Sequence, residues 1–177
     1  MPTEQPTQQE AFERIAMPHL AALLRVGRRL TLNGAAAEDL VQETMLLAWR
    51  GFHRFQTDSN ARAWLFRILL NAFYGQGRKA QRASALLPVS MVVDTRLQEA
   101  VEIREALQAL PIEQRTVLVL CVVEGFTCRE AAEILTVPIG TVMSRLSRAR
   151  QELRNSLAPM MTAQKTPKAM EAKGAFR

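Results

Sequence analysis

The chain has few of the residues from which most catalytic and metal sites are built. Its 177 residues include only two cysteines and two histidines. Cys121 and Cys128 lie far along the chain from His19 and His53 and lack the CxxC spacing of zinc ligands. No HExxH motif, Ser-His-acid arrangement or glycine-rich phosphate loop is present. We therefore predict that the protein is not an enzyme, with no metal, no cofactor and no disulfide framework.

Long apolar runs are also missing. No apolar run reaches the roughly 18 residues that a membrane-crossing helix needs. The first ten residues, MPTEQPTQQE, have neither the basic start nor the apolar core of a secretion signal. These absences predict a cytoplasmic protein with no membrane partner.

Strand signals are scarce, whereas alanine- and leucine-rich segments with helical periodicity are abundant. We predict an all-α fold of two small helical domains. Pro18 should interrupt a first helix over residues 9–30, and Asn33-Gly34 marks the turn before a helix over 35–55. The expected order is a disordered N-terminus (1–8), a helical domain (9–82), a linker (83–94), a second helical domain (95–158) and a basic disordered tail (159–177).

The net charge is +6 and the isoelectric point is about 10.1, which suits a polyanionic partner such as nucleic acid. Residues 127–154 predict a helix-turn-helix, because Thr127 and Glu130 form a capping-box pattern and Pro138 suits the start of a second helix. Arginines on such a helix either are a solvated face or pair with guanine in the major groove, and we favour DNA reading. The residues predicted to face outward are Thr141, Ser144, Arg145 and Arg148.

The residue at the turn of this motif disagrees with the backbone conformation that such a turn usually has. Thr136 stands where glycine is common, and a β-branched residue tolerates a left-handed backbone poorly. Either the turn avoids positive φ or the position is strained.

A second basic element covers residues 61–82. It carries five basic residues and no acidic one, mixed with Trp64, Phe66, Phe73 and Tyr74. Basic charge interleaved with aromatic rings is typical of a surface that binds single-stranded nucleic acid. We expect Asp58 or Ser59 to cap this helix, and Gly75 and Gly77 to weaken its C-terminal end.

Two halves with these motifs resemble the bacterial sigma factors of the extracytoplasmic function (ECF) type, group 4 of the sigma-70 family. The resemblance rests on FERI (12–15), AEDLVQETMLLAWRGFHRF (37–55) and ARAWLFRILLNAF (61–73) for region 2. For region 4 it rests on ALQALPIEQRTVLVL (106–120), EAAEIL (130–135) and PIGTVMSRLSRAR (138–150). Met143 departs from the pattern, because the family frequently has lysine or arginine there.

The resemblance implies a protein that binds core RNA polymerase, through its clamp coiled coil and flap, and directs it to promoter DNA, both duplex and single-stranded. It implies an anti-sigma partner as well. The residues implied for polymerase binding are Asp39, Gln42 and Glu43; for the minus-10 element, Asn60, Arg62, Arg67, Asn71, Arg78 and Lys79; and for the minus-35 element, Thr141, Ser144, Arg145 and Arg148.

Two alternatives stay open at the level of sequence. Acidic residues near the start of the helix over 35–55 also compensate the helix dipole. A stand-alone helix-turn-helix repressor or activator would explain the C-terminal half equally well. It would leave the basic helix over 61–82 and the acidic helix before it without a function, so we rank it second.

Overall fold

A computed structural model of the protein describes residues 7–56, 59–82 and 98–163, with side chains described at 7–56, 59–77 and 103–157. Every regular element within these ranges is helical, which confirms the all-α prediction. The elements are α1 (Gln8–Ala16), a 3-10 turn (Met17–His19), α2 (Leu20–Thr31), α3 (Gly34–Gly51), a 3-10 turn (Phe52–Arg54), α4 (Ala61–Arg82), α5 (Gln98–Ala109), α6 (Ile112–Leu118), a π-helical turn (Val119–Val123), α7 (Cys128–Leu135) and α8 (Ile139–Ala163).

The N-terminal half packs α1, α2, α3 and α4 around a common core. Pro18 lies in the 3-10 turn that separates α1 from α2, as predicted. Gly27 of α2 lies against Ala37 of α3, where an added Cβ would lie 3.4 Å from the Ala37 side chain, so the two helices are in close contact here. The Asn33 side chain accepts a hydrogen bond from the Ala36 amide at 3.0 Å and caps α3.

The C-terminal half is built around α6, α7 and α8. The predicted capping box is present, with the Thr127 hydroxyl accepting from the Glu130 amide and the Glu130 carboxylate accepting from the Thr127 amide. Thr136 ends α7 with φ 56° and ψ 46°. Of the two alternatives for this turn, the structure therefore has the left-handed backbone and not a turn that avoids positive φ. Val142, Leu146 and Ala149 are buried on one side of α8, as their spacing predicts.

The two halves share one hydrophobic core, which the sequence did not reveal. Phe66 of α4 meets Phe126 edge to face, with ring centres 5.1 Å apart. Arg115 of α6 is buried and donates to the carbonyl of Leu30 in α2 at 3.2 Å. The Tyr74 hydroxyl lies 2.9 Å from the Thr116 hydroxyl. The described part of the chain is therefore a closed arrangement in which α2 and α4 face α6, α7 and the π-helical turn.

The expected Ser59 cap of α4 was wrong. Asn60 caps α4 by accepting from the Ala63 amide at 3.0 Å, and Ser59 bonds the Gln56 carbonyl instead. The helix α4 runs through Gly75 and Gly77 to Arg82, the span predicted from sequence, and α8 continues to Ala163. The linker expected over residues 83–94 lies outside the described residues, as do Asp58, the other residue expected to cap α4, and most of the expected tail.

No helix in the described ranges is both long enough and apolar enough to cross a membrane.

Candidate nucleic-acid and polymerase-binding surfaces

The predicted site residues lie on three different helices. Those assigned to polymerase lie on α3, those assigned to the minus-10 element lie on α4 and at its cap, and those assigned to the minus-35 element lie on α8. Within the described residues, no three His, Cys, Asp or Glu side chains come together in a way that would hold a metal ion.

The outer face of α3 carries acidic residues followed by an exposed apolar side chain. Asp39 and Gln42 are exposed, whereas Glu43 is half-buried and accepts a hydrogen bond from the Gln76 amide of α4 at 2.6 Å. Leu46 lies four residues after Gln42, hence on the same side of the helix, and is 48% exposed. Sequence reasoning missed Leu46, which together with the exposed Trp49 three residues later gives this side of α3 apolar area that a partner is able to bury.

The minus-10 residues do not form one exposed surface. Asn71 is exposed, but the Asn60 side chain is used as the helix cap. Arg67 is exposed, and its guanidinium donates to the Glu133 carbonyl of α7 at 2.8 Å. Arg78 and Lys79 fall within α4, but their side chains lie outside the described part of the structure.

Arg62 belongs to a group of four residues, Arg25, Arg62, Glu124 and Phe126, which we call the Glu124 cluster. The Glu124 side chain is only 1% exposed and receives two bonds from Arg25, at 2.8 and 3.0 Å. Arg62 donates to the same carboxylate at 3.2 Å and to the Glu124 backbone carbonyl. The Arg62 guanidinium also lies 4.2 Å from the centre of the Phe126 ring, a cation–π distance.

The electrostatics agree with this geometry. Hydrogen bonding to Glu124, and its negative charge, raise the pKa of Arg25. Burial lowers the pKa of His19, and the positive charge of Arg62 lowers it further. A carboxylate this deeply buried is stabilised only when paired, and Glu124 has two guanidinium partners from the opposite half. Sequence reasoning missed Glu124, because nothing in its local sequence separates it from a surface glutamate.

The minus-35 residues are better placed for an external ligand. Ser144 and Arg148 are exposed, and Thr141 and Arg145 are half-buried. Arg145 lies toward α4: burial raises the pKa of Tyr74, and the positive charge of Arg145 is close enough to oppose that shift. Of these four residues, Ser144 and Arg148 are therefore the most exposed.

Comparison with known proteins gives matches along nearly the whole chain. Residues 15–83 match the family model for Sigma-70 region 2, and residues 100–153 match that for Sigma-70, region 4. The ECF RNA polymerase sigma factor SigM of Mycobacterium tuberculosis is 34% identical over 156 residues, covering 86% of this chain and 80% of SigM. EcfG of Rhodopseudomonas palustris, also an ECF sigma factor, is 40% identical over 147 residues, covering 78% of each chain.

A solved structure is similar as well. The sigma factor RpoE of Bartonella quintana, in complex with the anti-sigma factor NepR, superposes with a TM-score of 0.74 at 34% identity. The match covers 84% of this chain and 97% of RpoE.

Proposed function

The chain belongs to the ECF RNA polymerase sigma factors, and from its surfaces we propose how it divides the recognition of a promoter among three helices. The outer face of α3 binds core RNA polymerase. The helix α4 reads and opens the minus-10 element, and α8 reads the minus-35 element as duplex.

The observation that carries this proposal is the chemical difference between the three surfaces. The α3 face is acidic and apolar, so it suits a protein partner with basic and apolar groups. The sequence of α4 has no acidic residue, and the exposed side of α8 carries Arg148 and Ser144. A stand-alone duplex-binding regulator needs only the last of these surfaces.

On the polymerase side, Asp39, Gln42 and Glu43 dock on the coiled coil of the clamp, and Leu46 adds apolar area to the same contact. The C-terminal half contacts the flap. The hydrogen bond from Gln76 holds the Glu43 carboxylate in place before docking, which reduces the entropy lost on binding.

On the DNA side, the chain needs no catalytic residue. Taking a base out of the stack costs a few kcal/mol, and contacts with polymerase and with the separated strand offset that cost. Arg62 and Arg67 reach the strand only after they leave Glu124 and Glu133, because both are engaged across the two halves. The closed arrangement is thus the form of the protein that is not engaged with an open promoter.

An anti-sigma factor is the partner class that fits this closed form. The similar RpoE was solved with its anti-sigma factor NepR bound. We propose that a partner of that class binds this chain too, holding the two halves together and covering the α3 face.

In vitro transcription with purified core polymerase tests the function. Core enzyme with this chain should give promoter-specific transcripts that core enzyme alone does not give. The double variant Asp39→Arg with Glu43→Arg should lose co-purification with core polymerase and lose transcription. Glu105→Arg with Glu152→Arg makes the same change of charge at exposed positions outside α3, and it should retain both.

Two results would count against the proposal. If the α3 variant still binds core polymerase and supports transcription, the docking face lies elsewhere. If no promoter-specific transcript appears and the wild-type chain instead binds an operator duplex without polymerase, the protein acts as a stand-alone regulator.

A further inference from the structure

Two large apolar side chains are exposed at the start of α8. Ile139 is 45% exposed and Met143 is 57% exposed, the highest exposure among the large hydrophobic residues that the structure describes. They are four residues apart on one helix, so they lie on the same side of it. A single exposed apolar residue needs no explanation, but a pair within the surface proposed to face DNA does.

Neither side chain contributes to the packing of the fold. The buried stripe of α8 runs through Val142, Leu146 and Ala149, and neither Ile139 nor Met143 is among the residues packed against the core. Gly140 lies between them on the helix, and a Cβ added there would meet nothing within 4 Å. The entrance to α8 is therefore an open, partly apolar surface.

The surroundings of the pair are polar and basic. Ser144 follows Met143 directly, and Arg148 lies one turn farther on, both exposed. This mixture differs from a protein-docking patch, in which apolar residues dominate the centre and charge is depleted. It matches the floor of the DNA major groove, which presents hydrogen-bonding groups, flanking phosphates and one apolar group, the methyl of thymine.

We infer that Met143, with Ile139 beside it, contacts the methyl group of a thymine in the upstream duplex element, so that α8 selects thymine at one position by an apolar contact. The inference rests on the proposed reading of the minus-35 element by α8. An unbranched, polarisable methionine suits this contact because it adapts to the groove and does not compete for hydrogen bonds. Arg148 supplies the hydrogen-bonding part of the same recognition.

The test uses polymerase holoenzyme assembled with the full chain. Preferred upstream sequences are first selected from a randomised duplex. Each preferred thymine is then replaced by deoxyuridine, which removes the methyl group and leaves every hydrogen-bonding group in place. At one position the wild-type holoenzyme should bind about four-fold more weakly, the factor that corresponds to burial of one methyl-sized group.

The protein variants complete a double-mutant cycle. Met143→Ala should bind the thymine and deoxyuridine promoters equally, whereas Met143→Leu should keep the preference for the methyl group. Arg148→Ala should weaken binding overall and still distinguish the two bases. Met17→Ala removes a methionine that is 50% exposed in the N-terminal half, and it should behave as wild type.

The outcomes separate the inference from the function on which it rests. If no upstream position is selected, the proposed reading by α8 fails. If positions are selected but none is thymine, or deoxyuridine has no effect, the methyl contact is overturned while the reading by α8 stands. The methyl contact is also overturned if Met143→Ala still binds the deoxyuridine promoter more weakly than the thymine promoter by the wild-type factor, whether or not its overall affinity has fallen.

Discussion

The two basic helices of this protein hold their arginines in opposite ways. On α4, Arg62 donates to Glu124 and lies over Phe126, and Arg67 donates to the Glu133 carbonyl. On α8, Arg148 is exposed, and no hydrogen bond or ion pair joins it to another of the described residues. Both helices are basic in sequence, but in the closed arrangement Arg62 and Arg67 have protein partners, whereas Arg148 has none among the described residues.

The difference indicates an order of events. A duplex approaching α8 meets free charge at once, whereas a strand approaching α4 competes with the partners that Arg62 and Arg67 already have. Those partners belong to the other half of the chain, so the proposed function requires that contact of α4 with the strand be coupled to separation of the halves. Because α8 is available and α4 is engaged, we expect α8 to contact the upstream duplex before the two halves of the protein separate.

The largest effect is expected from Glu124→Ala, which should abolish the contrast between the two helices. It removes the carboxylate that Arg25 and Arg62 share across the halves. We expect the free energy of unfolding to fall by about 2–4 kcal/mol, which is somewhat less than the loss for a fully buried pair. The loss is smaller because the side chains of Arg25 and Arg62 are 45% and 34% exposed, so water solvates their guanidinium groups once the carboxylate is removed. Urea unfolding measures the loss, and small-angle X-ray scattering should report a larger radius of gyration.

The matched control is Glu133→Ala, since Glu133 contacts Arg67 only through its backbone carbonyl. That variant should leave both the unfolding curve and the scattering profile unchanged. If Glu124→Ala is as compact and as stable as wild type, the Glu124 cluster does not hold the halves together.

The next effect is expected from Arg148→Ala, which tests the available helix. Loss of one bidentate contact to guanine should reduce discrimination at one upstream base pair by about 1–3 kcal/mol, with polymerase binding unchanged. Competition binding of holoenzyme to single-base variants of the promoter measures it. Arg154→Ala, at an exposed position farther along α8, should leave discrimination unchanged. An unaltered base preference in Arg148→Ala would remove this residue from the reading surface.

A smaller effect is expected at the turn that places α8. Thr136 has φ 56°, a conformation that a β-branched residue adopts only under strain. Thr136→Gly should raise the free energy of unfolding by about 1 kcal/mol, because relief of strain exceeds the added flexibility of the unfolded chain. Gly125 has φ 72°, so Gly125→Ala should destabilise the protein. A destabilised Thr136→Gly would mean that the threonine side chain stabilises the turn more than its backbone strains it.

Local patterns predicted the elements that carry the site. The break at Pro18, the span of α4 and the capping box of Thr127 and Glu130 follow from interactions among neighbouring residues, so the sequence is sufficient for them. Family resemblance added the assignment of three helices to three partners. Both kinds of inference concern the bounds and the role of a single helix. Neither predicts which residues of the other half pack against that helix.

The contacts between the halves could not be predicted in this way. Glu124 lies 99 residues from Arg25 and 62 from Arg62, and no motif links such distant positions. Asn60 and Ser59 are both able to cap a helix, so only the backbone path decides that Asn60 does. At Gly75 and Gly77 the helix continues because the rest of the structure outweighs a local preference of about 1 kcal/mol per residue.

The smallest effect on stability is expected from Arg67→Ala, and it distinguishes the two arginines of α4. Arg62 has a carboxylate, a carbonyl and an aromatic ring as partners, whereas Arg67 donates to one backbone carbonyl at an exposed position. Removing it should change the free energy of unfolding by at most about 0.5 kcal/mol, with the halves still closed. Binding of holoenzyme to single-stranded minus-10 DNA should nevertheless weaken, whereas Arg14→Ala, which removes an exposed arginine from α1, should leave it unchanged. If Arg67→Ala opens the molecule as far as Glu124→Ala does, closure depends on the whole surface of α4; if it does not, the Glu124 cluster holds the halves together without the Arg67 contact, as expected.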